Sequence, residues 1–108
     1  MHFLAKITIP TEGGNKFVSS KNFNERMDDL MSGLKPEAAY FCVADGHRTI
    51  FALVNLDSAA DIPRAIEPFW LAMGANVDLI PAMTQAEFGK AMPGLKQSVE
   101  KYGKSMTT

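Results

Sequence analysis

The sequence predicts an α+β protein, with an antiparallel sheet of four strands and helices packed beside it. Three observations predict it. First, residues 40–56 read YFCVADGHRTIFALVNL, so Asp45-Gly46 stands between two apolar, β-rich runs. Both turn residues tolerate the positive φ of a type I′ hairpin turn. Second, Asn22 with Glu25, Ser58 with Asp61 and Thr84 with Glu87 each set a capping residue three positions before an acid. That is the capping-box pattern that opens a helix. Third, Pro10, Pro36 and Pro81 each close a periodic run, because proline has no N–H to continue a ladder.

In chain order, residues 2–9 read as a strand. Phe3, Ala5, Ile7 and Ile9 form one face, with His2, Leu4, Lys6 and Thr8 on the other. Residues 11–20 contain Glu12-Gly13-Gly14-Asn15 and read as a loop. The first helix opens near Asn22 and carries Phe23, Met27, Leu30, Met31 and Leu34 on one stripe; Gly33 is its expected C-terminal cap and Pro36 ends it. The hairpin follows, apolar on both faces of both arms. A strand with one wet face alternates apolar and polar, so both faces are expected to be covered. The helix after Asp57-Ser58 takes Pro63 in its first turn and presents Ile62, Ala65, Ile66, Phe69, Trp70 and Met73; Pro68 inside it predicts a kink or a late start, and Gly74 ends it. Residues 76–80 form a short last strand. Thr84 opens a C-terminal helix with Phe88, Ala91 and Met92 facing inward, and after Pro93-Gly94 a second short helix carries Leu95, Val99 and Tyr102.

The order β, α, β, β, α, β with a C-terminal helical extension describes a ferredoxin-like sandwich, with strands in the order 4-1-3-2 and both helices on one face. The predicted domain spans residues 1–103, and 104–108 form a small polar tail expected to fray. The other sheet face would be left bare and apolar, which predicts a two-fold homodimer. Composition narrows the partners. A net charge of −1 gives no basic stripe for a nucleic acid. No apolar run reaches the length of a membrane span, and MHFLAKITIP has no leader pattern. The single cysteine, Cys42, makes no intramolecular disulfide, and a cytoplasmic location is expected.

The pattern resembles the dimeric α+β-barrel superfamily, which includes muconolactone isomerases, YCII-like proteins, stress-responsive A/B-barrel proteins and antibiotic-biosynthesis monooxygenases. Lys35-Pro36-Glu37-Ala38-Ala39-Tyr40-Phe41, Glu67-Pro68-Phe69-Trp70 and Pro81-Ala82-Met83-Thr84 resemble a group of small, uncharacterised bacterial proteins. The resemblance covers nearly the whole chain in element order. It implies a dimeric barrel acting on small aromatic or polyketide-like organics, often without metal or cofactor, and it carries over no catalytic residue.

Lys6 and Asp78 are the catalytic candidates. They belong to adjacent strands of the expected sheet, and burial in an apolar enclosure pushes a lysine pKa down and a carboxylate pKa up, which is how acid–base sites are made. The plainer reading is a structural ion pair that keeps the sheet edge from further pairing. His2, Thr8, Tyr40, Cys42 and Trp70 are the expected pocket residues, although aromatic and soft side chains also make ordinary cores, and Cys42 reads as a buried small hydrophobe. His47 at the hairpin tip reads as solvated, and Arg48 as either a carboxylate clamp or a shield for the sheet. The Gly13-Gly14 segment lacks both the Lys-Ser/Thr of a phosphate loop and dinucleotide spacing. His2, His47 and Cys42 have no zinc spacing, so no metal or cofactor is expected. Two function classes follow: a cofactor-independent enzyme of isomerase or monooxygenase type acting on a small organic molecule, or a non-catalytic binding, sensing or assembly module. A cavity of about 300 Å³ or more with Lys6 or His2 inside it would favour ligand chemistry.

Overall fold

The computed structural model describes residues 1–103; the tail expected to fray, 104–108, lies outside the described residues. The elements are β1 (His2–Ile9), α1 (Thr11–Val18), α2 (Phe23–Leu34), β2 (Ala38–Ala44), β3 (His47–Asn55), a 3-10 turn (Ala59–Asp61), α3 (Ile62–Met73), β4 (Asn76–Pro81), α4 (Gln85–Lys90), α5 (Met92–Ser98) and a wide helical turn (Val99–Gly103). The sheet runs β2-β3-β1-β4, and every neighbouring pair is antiparallel.

The alternation of β1 divides the sheet into two faces. Ala5, Ile7 and Ile9 are buried, while His2, Leu4, Lys6 and Thr8 keep partial exposure. Ile7 stands opposite Ile50 on β3 and Val77 on β4, and Ala5 opposite Ala52 and Leu79. These residues join Phe17 of α1, Leu30 and Leu34 of α2, and Ala65, Ile66, Phe69 and Met73 of α3 in one core. The helices therefore cover the Ile7 face. The Lys6 face stays open and carries Leu4, Phe51, Leu53, Tyr40 and Ile80 in its rows. Asp45 and Gly46 have φ of 53° and 76°, the left-handed pair that a two-residue hairpin turn with the natural strand twist needs.

Residues 11–20 depart from the expected loop: 11–18 form α1. The glycines suggested a turn, and packing explains them instead. A Cβ on Gly13 would collide with the carbonyl oxygen of Met73 at the end of α3, and one on Gly14 would press on Ile9 and Arg48. The two glycines let α1 lie directly against α3 and the β1–β3 ladder, while Phe17 plugs into the core. Gly13→Ala should destabilise the chain by about 2 kcal/mol despite the better helix propensity of alanine, because the clash is with backbone that cannot rotate away. Gly33→Ala, with nothing within 4 Å of the added carbon, should stabilise by about 0.5–1 kcal/mol. Urea midpoints of the two variants check these opposite signs.

Gly33 is also not the expected cap. The helix α2 continues to Leu34 and ends on Lys35 at φ 51°, whose N–H reaches the Met31 carbonyl. A left-handed lysine costs about 1–2 kcal/mol. Burying Leu34 returns about as much, so the helix runs on until Pro36. Asn22 does occupy the N-cap of α2, without a side-chain hydrogen bond. Before α3, the Ser58 hydroxyl accepts from the Ala60 N–H at 3.1 Å and the Asp61 carboxylate accepts from the Ser58 N–H at 3.2 Å. The helix then begins at Ile62 and continues through Pro68 to Met73, so no late start occurs. Gly74 ends it at φ 65°, with its N–H on the Trp70 carbonyl.

Beyond β4 the chain leaves the body as a helical arm. No residue of α4, α5 or the turn at 99–103 is buried. Phe88 and Met92, expected to face inward, are 49% and 37% exposed, because among the described residues neither the sheet nor α1–α3 packs closely on α4 and α5. The radius of gyration is 18.3 Å, against about 13 Å for a compact chain of this length.

Candidate functional site

The helices bury residues of β1 and β3, reach β4 through half-buried Val77 and Leu79, and leave most of β2 bare. Phe41 and Val43 point to the helix side of the sheet yet remain 61% and 76% exposed. Between them and the α1–α2 corner lies a groove of about 330 Å³. Its walls include Phe17, Phe23 and Met27 on the helix side and Phe41 and Val43 on the strand side. The Phe17 and Phe23 rings meet edge to face, with centroids 5.6 Å apart, an arrangement that fixes both rings. The Arg26 guanidinium lies 4.7 Å from the Phe17 ring centroid and holds that corner from outside.

Of the lining side chains described, only Arg48 is charged. It comes from the start of β3 and donates from Nη2 to the Asn15 side-chain oxygen of α1 at 3.1 Å. Its guanidinium lies close to Gly14, which leaves room for it against the helix. Thr49 and Cys42 also border it, although both belong to the row of Thr8, and the Thr49 hydroxyl donates to the His47 carbonyl at 3.0 Å. The arrangement can hold an apolar body against aromatic walls and offer planar donors to a carboxylate at the rim.

The sequence-selected residues lie elsewhere, with one exception. Lys6 and Asp78 stand directly opposite each other across β1 and β4, on the open face and away from the groove. The Lys6 amine lies 3.8 Å from the Asp45 carboxylate at the hairpin turn. Thr8 stands between Thr49 and Asn76, and Tyr40 beside Phe51, in rows of the same open face. Tyr40 is 71% exposed, and Trp70 is half exposed on α3. Cys42 does line the groove. It is exposed rather than buried, because it sits on an edge strand in the row of Thr8 and Thr49 on the open face. Phe17, Phe23, Phe41 and Arg48 complete the groove, and sequence reasoning did not assemble them. The available signal was the apolar residues on both faces of β2 beside a helix that reads as a loop.

His2 joins the body to the arm. Its Nε2 lies 3.1 and 3.2 Å from the two Glu37 carboxylate oxygens, and its Nδ1 lies 2.9 Å from Glu87 without hydrogen-bond geometry. Glu87 closes the capping box of α4. Its carboxylate accepts from the Thr84 N–H at 2.9 Å while its own N–H donates to the Thr84 hydroxyl at 3.2 Å. The Thr84 backbone N–H, then the Thr84 side chain and His2, hold the Glu87 carboxyl below its ordinary value of 4.5. A depressed carboxylate stabilises the folded state above its unfolded value and loses that contribution as pH falls through the folded value. The base of the arm should therefore loosen below pH 4.5. A carbon-detected NMR titration of Glu87 should give a midpoint under 4.5, and Thr84→Ala should return it toward 4.5.

A family model described as a domain of unknown function matches residues 1–96. The chain belongs to the DUF3303 family. The match takes in the sheet, the groove, His2 and the arm as far as α5. No curated protein matches the chain. Among the described residues of this DUF3303 domain, no helix is long and apolar enough to cross a membrane.

Proposed function

We propose that this DUF3303 chain binds a small organic acid, its apolar body in the groove beside β2 and its carboxylate on Arg48. The carrying observation is a groove of about 330 Å³ with apolar walls and one cation at its rim, a size that suits a small ligand. A thermal-shift titration with aryl and alkyl carboxylates tests it. At a ligand concentration one hundred times Kd the folded state gains about 2.7 kcal/mol, which raises Tm by roughly 10 °C. Arg48→Ala should remove most of that rise. No rise with any carboxylate, or an equal rise in Arg48→Ala, would overturn the assignment.

The wider reading is a ferredoxin-like protomer in a two-fold dimeric α+β barrel in the cytoplasm. The strand order β4-β1-β3-β2 and the open, apolar Lys6 face support it. A second reading, a cofactor-independent enzyme, is favoured by one observation: Lys6 and Asp78 are cross-strand neighbours on the face that a dimer would enclose. Lys6→Ala and Asp78→Asn separate the two. Both variants keep groove binding on the first reading, and both abolish turnover on the second.

A further inference from the structure

The arm presents an apolar stripe that stays exposed among the described residues. Phe88, Met92, Leu95 and Val99 follow one another at spacings of four, three and four. That is the period at which a helix keeps one seam toward another surface. All four side chains stay exposed, Val99 to 60%. Ala91, between α4 and α5, keeps right-handed helical geometry, so the stripe continues past Pro93. The two helices and their extension span about 28 Å over residues 85–103, long enough to cross a neighbouring subunit of this size.

The arm starts beside the open sheet face. The Ala82 N–H donates to the His2 carbonyl, and Glu87 meets the His2 ring, which belongs to the Lys6 row side of β1. One chain thus carries two unfilled apolar surfaces joined at His2: the stripe, and a sheet face with Leu4, Phe51, Leu53, Tyr40 and Ile80. Two such surfaces on one chain are self-complementary under a two-fold axis, since each stripe meets the other copy's face while its own face receives the partner's stripe. We infer that the arm is an exchanged clasp: in a homodimer, residues 84–99 of each copy cross to the other and lay Phe88, Met92, Leu95 and Val99 along its open sheet face on the β2 side. The inference rests on the homodimer reading above. A basic amphipathic helix can instead lie on a membrane. Glu87 and Glu100 on the arm, with only Lys90, Lys96 and Lys101 against them, favour the second copy.

Light scattering and hydrogen exchange on the full chain test this together. Expected are twice the chain mass and arm amides slowed at least about tenfold, with the protection lost on dilution. Leu95→Glu with Val99→Glu, at sites already exposed in one chain, should weaken the dimer about 100-fold while β1 amides stay protected. A dimer whose arm exchanges freely would overturn the clasp and leave the homodimer standing. A chain that stays monomeric at about 100 μM, well above an ordinary dimer Kd, would overturn both. Protection that appears only with phosphatidylcholine–phosphatidylserine vesicles would assign the stripe to a membrane and overturn the clasp.

Discussion

Ile7→Asp should leave the chain unfolded at 25 °C. Ile7 is fully enclosed at the middle of β1, a central strand, opposite Ile50 and Val77 and beneath the helices. Losing the isoleucine costs about 2–4 kcal/mol in transfer and cavity terms. An unpaired carboxylate in the same place costs several more, even after it takes up a proton. The sum matches the whole stability of an ordinary domain, about 5–15 kcal/mol. Far-UV circular dichroism and a flat urea curve should report the loss. Phe51→Asp is the matched control. Phe51 lies on β3 opposite Lys6, on the open face, and is only half-buried. A carboxylate there reaches water and the Lys6 amine, so a single chain should still fold. A folded Ile7→Asp variant would mean that the helices do not close over this face.

The contrast between Ile7 and Phe51 also marks how much the sequence disclosed. Period-two alternation in β1, the Asp45-Gly46 turn and the Ser58 and Thr84 caps are local signals, and each is met locally in the structure. What stayed hidden depended on contacts distant in sequence. The helix at 11–18 reads as a loop because Gly13 and Gly14 lower helix propensity, and the reason they are small lies elsewhere in the chain: Met73, sixty residues away, for Gly13, and Ile9 and Arg48 for Gly14. Cys42 reads as buried because it is soft and stands in an apolar run, but it sits on an edge strand in the open-face row. On the other face, cover is decided by how three helices divide four strands, and most of β2 is left bare. The groove is the consequence of that shortfall. Its aromatic members come from α1, α2 and β2, so no window of sequence contains it.

Phe69→Ala should cost about 3–5 kcal/mol, the range for a large aromatic removed from a core. Phe69 is the largest fully enclosed side chain, and it sits at the middle of α3 within the cluster shared by the sheet and the helices. Pro68 precedes it and cannot donate to the Arg64 carbonyl, so α3 lacks one rung where Phe69 enters the core. Packing must hold the helix at that point, and Phe69 supplies it. Its main-chain carbonyl also accepts from the Ala75 N–H in the turn into β4. The cavity left by alanine therefore opens beside a helix already short of a hydrogen bond. Collapse of α3 into it would pull on β4 and on the Lys6–Asp78 rung. Trp70→Ala, one residue on but half exposed, should cost no more than about 1.5 kcal/mol. Urea midpoints with unchanged m-values would show both effects as losses of stability alone. A Phe69→Ala midpoint close to that of Trp70→Ala would mean that the Pro68 turn is held by something other than the core.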